Sequence, residues 1–283
     1  MEKANVIILA GQSNAVGVGH NKYLPNHFDA KTIQKFYDGY ENVLINYFSH
    51  GIRSNGFVKT RVNCTQAAKD TLGPEVGIAK NLTKRYGNEK FFIIKYAFGG
   101  ANLYKDWLSQ SSGGLYDPNS SADKYDDIVG AVESGINMGY GWCYNGFIKL
   151  MNESIELLKK QGYMPNIRAF FWMQGESDAF SLEAVKRYKG LYDNFIQDIK
   201  TNFAPYIADC IYVDAGISNF WPCYKEMNEL KKENAKEKGY VYIDTIGAGL
   251  TTDFEPIEQP DRAHYDSNSI VELGELFAQN IVL

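Results

Sequence analysis

A continuous apolar run at residues 5–10, Asn-Val-Ile-Ile-Leu-Ala, stops at Gly11 and is followed at once by Gln12-Ser13-Asn14. A run of this length without polar alternation is what a strand covered on both faces requires. The pattern recurs along the chain. Residues 91–97 form a second run, ahead of Gly99-Gly100, and residues 167–173 a third, ending at Gln174-Gly175. Residues 211–214 and 240–244 read as two shorter strands of the same kind.

Helical stripes separate these runs. Phe147, Leu150, Met151, Ile155 and Leu158 share one face at 3.6-residue spacing. A second stripe runs from Val185 to Ile199, with Ser181 placed to cap it, and a third carries Ile270, Leu273, Phe277 and Ile281. Strand and helix alternating at this rhythm predict an α/β fold of three layers, a mostly parallel sheet with helices on both faces. All 283 residues fit one domain, and a hydrophobic fraction of 45% supplies its core. Two stretches, residues 19–63 and 108–141, show little periodicity and read as loop insertions that could shape a pocket.

Composition narrows the function classes. A net charge of −5 leaves no basic footprint for nucleic acid. The apolar run near the N-terminus is too short for a signal core or a membrane span, which sets a cytoplasmic expectation and no membrane partner. The four cysteines lie far apart, with no C-x-x-C pair, and read as reduced thiols. No clustering of His, Cys and carboxylates suggests a metal, and no cofactor is expected. Gly17-Val18-Gly19 follows the first strand, but Lys22 stands where a dinucleotide-binding turn needs its third glycine.

Ligands of parallel α/β sheets sit beyond the carboxyl ends of the strands. Small, backbone-permissive and amide-bearing residues gather just after the three long runs, the equipment for holding an oxyanion with backbone and amide N–H groups. A serine nucleophile needs a base. Of the four histidines, His20, His27 and His50 fall in the first insertion, with no acid at a useful spacing, and read as loop histidines. His264 lies in Asp261-Arg262-Ala263-His264, where one turn of chain can bring the Asp261 carboxylate to the imidazole and fix its tautomer. Two serines compete for the role of nucleophile. Ser177 is flanked by Glu176 and Asp178, whose charges oppose a developing oxyanion, whereas Ser13 is flanked by the neutral amides Gln12 and Asn14. The chemistry favours Ser13.

Taken in order, Gly11-Gln12-Ser13-Asn14, Gly99-Gly100, residues 172–178 (Trp-Met-Gln-Gly-Glu-Ser-Asp) and Asp261-x-x-His264 resemble the sequence blocks of the SGNH hydrolases. Within that superfamily the chain resembles the carbohydrate esterases, the acetylxylan esterases and sialate O-acetylesterase-like proteins, which also share a segment like residues 73–77 (Gly-Pro-Glu-Val-Gly). The resemblance implies a flavodoxin-like sheet and metal-independent removal of O-acetyl groups from sugars, xylo-oligosaccharides or sialic acids. It implies Ser13, His264 and Asp261 as the catalytic triad. It also implies an oxyanion hole made by the N–H groups of Ser13 and Gly100 and the side chain of Gln174. Ala101 departs from the Thr or Ser that many relatives carry after the two glycines, which removes a supporting hydroxyl. Candidate substrate contacts are Gln12, Asn14, Trp107 and Glu176, with Trp142, Trp221, Phe98 and Tyr104 as further possible pocket walls. A lipase or thioesterase using the same triad, and a carbohydrate-binding protein on a hydrolase scaffold, are the competing readings.

Overall fold

A computed structural model describes residues 2–65, 70–87, 89–114 and 127–283. In chain order its strands and helices are β1 (Glu2–Gly11), α1 (Ser13–Val16), β2 (Gly19–His20), α2 (Ala30–Asp38), β3 (Tyr40–Ser49), β4 (Ile52–Arg53), β5 (Val58–Thr60), β6 (Thr71–Leu72), α3 (Pro74–Tyr86), β7 (Phe91–Ala97), α4 (Ile128–Glu133), α5 (Trp142–Lys160), β8 (Tyr163–Met173), α6 (Leu182–Asn202), β9 (Ile211–Ala215), α7 (Tyr224–Lys238), β10 (Val241–Ile243) and α8 (Ser267–Ala278).

The five strands expected from the apolar runs all form. β1 lies in the middle of the sheet, paired in parallel with β7 on one side and β8 on the other, and its residues Val6 to Ala10 are wholly buried. Outward from β8 follow β9 and β10, also parallel. The order β7-β1-β8-β9-β10 is that of a flavodoxin-like core, and helices cover its strands. Ser181 caps α6 as expected, its side chain accepting the Ala184 N–H.

The first insertion differs from expectation. Residues 19–63 are not a loop but contain α2 and the ten-residue strand β3, which extends the sheet in parallel beyond β7. β4 and β5 then pair with β3 antiparallel. Polar residues at 41, 42 and 46 broke the apolar period of β3, and tertiary partners satisfy two of them. Asn46 donates to Ser154 Oγ at 2.8 Å and Asn42 donates to the Gly87 carbonyl at 2.8 Å. In the second insertion, α4 forms, and residues 115–126 lie outside the described residues.

The Gly-Pro-Glu-Val-Gly segment at 73–77 opens α3 and does three jobs. Pro74 takes the first helical position, where its missing N–H costs nothing. Gly77 lets α8 come so close that a Cβ would lie 1.9 Å from the Val271 carbonyl oxygen. Glu75 is fully buried and pairs with Lys95 of β7 at 2.7 Å, while Lys95 also donates to the Val16 carbonyl at 2.8 Å. Val16 ends the helical turn that begins at Ser13, so this buried pair braces the turn carrying the serine. Among the described residues no helix is long and apolar enough to cross a membrane.

Candidate active site

β1 ends where the strand order reverses, between β7 and β8, and α1 begins two residues later. Gly11 is required at that point: a Cβ there would sit 1.9 Å from the Met173 carbonyl oxygen. Gln12 caps the single turn of α1, its carbonyl accepting the Ala15 and Val16 N–H groups at 2.8 Å. Ser13 is the first helical residue, so its own N–H has no acceptor within the helix and is available to a ligand.

A cavity of about 620 Å³ opens at this point, a size suited to a small sugar ester. Ser13, Gln12, Gly99, Gly100 and Asn102 line one part of it, and Ala263 and His264 another. Val16, Val18, Phe180 and Trp221 give it apolar walls, and Ser177 and His50 complete the lining. His264 comes from the loop before α8. Its Nδ1 lies 2.6 Å from Asp261 Oδ2, and the His264 N–H donates to the Asp261 carbonyl at 3.2 Å, so one turn of chain makes the pair as its spacing predicted. Asp261 is about half exposed and His264 about a quarter.

Asn14 links the serine turn to the histidine loop. Its Oδ1 accepts the Tyr265 N–H at 3.0 Å, and its Nδ2 donates to Glu176 Oε1 at 2.9 Å. Asn14 and Glu176 are both wholly buried. They therefore brace the site from beneath, and neither is among the residues that line the cavity, where both had been expected as substrate contacts. Burial pushes the Glu176 carboxyl above the usual carboxylate range, against the hydrogen bond from Asn14. Trp107 is corrected too. It is fully buried, edge-on to Trp172 at 5.1 Å between ring centres, and belongs to the aromatic core. Trp142 is also buried and donates to Asp106 at 2.8 Å, which leaves Trp221 as the tryptophan at the cavity.

The two amides at the site are held in different ways. Gln174 is fully buried, and its Nε2 donates to Asp178 Oδ2 at 2.5 Å, with the Ala101 carbonyl at 3.2 Å and Gln12 Oε1 at 3.3 Å. Its N–H groups are thus spent on protein acceptors rather than aimed into the cavity. Gln12 does line the cavity. Its Oε1 also accepts the Ser177 N–H at 3.1 Å, which ties the amide to the segment beyond β8. Asp178 in turn accepts the Leu103 N–H at 2.9 Å, and burial pushes its pKa up to about 6. Ser177, the rival serine, donates its hydroxyl to the Gly100 carbonyl at 2.9 Å and so supports the glycine turn.

His50 lines the cavity although its sequence context gives no sign of it. It follows β3, at the same end of the sheet as Ser13 and Gly99, and was hidden because β3 itself was not recognised. Read as a strand, residues 40–49 would have placed His50 among the residues beyond a strand end.

The model of the family described as "Carbohydrate esterase, sialic acid-specific acetylesterase" matches residues 3–282. Among solved structures, NanS is similar with a TM-score of 0.63 at 15% identity, over 98% of this chain and 95% of that one. A protein of Arabidopsis thaliana matches with a TM-score of 0.62 at 16% identity, over 99% of this chain and all of that one. A carbohydrate acetylesterase from Xanthomonas citri follows with a TM-score of 0.59 at 15% identity, over 97% of this chain and 55% of that one. At such identities the structural likeness speaks for the fold. A search of curated proteins by sequence found no significant match. The family match covers nearly the whole chain, and the protein is therefore a carboxylic ester hydrolase that belongs to the sialic acid-specific acetylesterase family of carbohydrate esterases.

Proposed function

We propose that the protein removes O-acetyl groups from carbohydrates, acetylated xylo-oligosaccharides or sialic acids, with Ser13 as nucleophile, His264 as general base and Asp261 as its orienting acid. The observation that carries this reading is that Ser13 and His264 line one cavity while His264 is held through Nδ1 by Asp261. With Nδ1 engaged, Nε2 is the nitrogen free to take a proton.

The chemistry runs in two halves. Ser13 Oγ attacks the acetyl carbonyl carbon as its proton passes to His264 Nε2, and the carbonyl π pair becomes the oxyanion. We assign the N–H groups of Ser13 and Gly100 and the Gln12 side-chain amide as the donors that receive that charge. The intermediate collapses as His264 gives its proton to the sugar oxygen, which leaves as the alcohol. Water then attacks the acetyl-serine, losing a proton to His264, and acetate departs as Ser13 is reprotonated. Ser177, whose hydroxyl hydrogen already serves the Gly100 carbonyl, has no part as nucleophile.

Labelling with an organophosphonate probe, alongside hydrolysis of p-nitrophenyl acetate, tests the assignment. Ser13→Ala should abolish both labelling and turnover, and Ser177→Ala should keep both. Retained labelling in Ser13→Ala, or its loss in Ser177→Ala alone, would overturn the triad. Acetate release from acetylated xylo-oligosaccharides and from O-acetyl sialic acids then decides the sugar.

A further inference from the structure

His50 lines the cavity, and among the described residues one of its ring nitrogens has a hydrogen-bond partner. Nδ1 accepts the Gly99 N–H at 3.2 Å, and the ring leans on Phe98 at 4.7 Å between centres. An Nδ1 that accepts a hydrogen bond cannot carry a proton, so the neutral ring bears its hydrogen on Nε2. Burial holds the His50 pKa below the usual histidine value, with Glu133 opposing, and so favours this neutral form. The backbone supports the placement at a cost. His50 has φ of +44°, a conformation few residues other than glycine adopt, and its N–H donates to the Ala97 carbonyl at 2.8 Å. The ring is also near the nucleophile: a Cβ built on Gly99 would lie 3.2 Å from His50 Cε1 and 3.9 Å from Ser13 Cβ.

We propose that His50 is a substrate-binding residue whose Nε2–H donates to an oxygen of the sugar, a hydroxyl or ring oxygen next to the acetylated position. The ester carbonyl oxygen is already provided for by the Ser13, Gly100 and Gln12 donors, and the acetyl methyl offers no acceptor. The sugar is the part of the substrate that does. An uncharged donor suits a hydroxyl or ether oxygen, and Phe180 and Trp221 supply apolar wall for the ring face of the same sugar. This inference rests on the carbohydrate deacetylase reading and names a determinant of its specificity.

The test compares kcat/KM for a partly acetylated xylo-oligosaccharide with that for p-nitrophenyl acetate, which has no sugar oxygen. His50→Asn keeps an acceptor for the Gly99 N–H and tolerates the positive φ, but lacks a donor at the Nε2 position. The ratio of sugar-ester to p-nitrophenyl acetate activity should fall about tenfold, mainly through KM on the sugar. His50→Gln, whose amide can reach the Nε2 position, should bring the ratio back to within about threefold of wild type. Equal losses on both substrates, an unchanged ratio in His50→Asn, or a His50→Gln ratio as low as that of His50→Asn would each overturn the inference. A wild type that cleaves p-nitrophenyl acetate but no sugar ester would instead overturn the deacetylase reading itself, and the inference with it, before any variant is measured.

Discussion

Asn14 Oδ1 accepts the Tyr265 N–H at 3.0 Å, so the residue after the proposed nucleophile is tied to the residue after the proposed base. The same side chain donates to Glu176, which stands beyond β8. One buried amide thus sets the distance between three segments far apart in sequence. Asn14→Ala should lower kcat on p-nitrophenyl acetate by roughly 10²-fold with little change in KM, because misplacement of a reacting group by about 1 Å carries that penalty. It should also lower unfolding stability by about 1–3 kcal/mol, since Glu176 and the Tyr265 N–H lose their partner. Steady-state kinetics and denaturant melts on the same preparation check both figures. Stability loss with full kcat would show that the link serves the fold alone.

Gln174 and Gln12 give a sharper contrast. Gln12 faces the cavity, and Gln174 holds Gln12 and Asp178 from below. Gln12→Ala should therefore cost roughly 10²–10³ in kcat, as loss of an oxyanion donor does, with KM little moved. Gln174→Ala should cost only about tenfold in kcat but should also destabilise the protein, because it strips a hydrogen bond from a buried carboxylate. The reverse order of kcat losses would return the oxyanion role to Gln174.

The parts of this site that could be read in the sequence were those encoded locally. The apolar runs at residues 5–10 and 91–97 marked β1 and β7, and the Asp261-x-x-His264 spacing marked a contact that one turn of chain makes by itself. What stayed hidden depends on partners distant in sequence. β3 looked irregular because Asn42 and Asn46 sit within it, and only the fold shows that Gly87 and Ser154 satisfy them. Losing β3 meant losing His50. Trp107 looked like a loop tryptophan because nothing local announces that Trp172 and Phe195 close over it. Gln12 and Gln174 are both amides after strands, and only the fold shows that Asp178 engages Gln174 while Gln12 lines the cavity.

Asp178 offers a pH test with a definite sign. Burial raises its folded-state pKa to about 6, from 3.8 for a free carboxyl. The native protein therefore binds this proton more tightly than the unfolded chain does. The contribution to stability is fully present below about pH 4, falls as pH rises towards about 6, and is flat beyond. Asp178→Asn removes the titration. The stability of wild type relative to this variant should thus decline by on the order of 1–3 kcal/mol between pH 4 and pH 7. Chemical denaturation of both proteins across that range checks it, and a difference that grows with pH would contradict a raised pKa.

The buried Lys95–Glu75 pair supports the Ser13 turn without lining the cavity. Both side chains are wholly buried, and the same ammonium donates to the Val16 carbonyl at the end of the Ser13 turn. Desolvation holds the Lys95 pKa down, against the pull of Glu75, so the charge is kept only by its partners. Lys95→Met leaves the Glu75 carboxylate buried without its cation and should destabilise by about 3–5 kcal/mol. Lys95→Met with Glu75→Leu removes both charges together and should recover a large share of that loss. Activity should not recover with it, because the Val16 carbonyl has still lost the donor that braces the serine turn. Denaturant melts and p-nitrophenyl acetate kinetics on the two variants separate these effects: stability restored with kcat still depressed is the expected result. Full recovery of kcat in the double variant would show that the pair stabilises the fold without positioning Ser13.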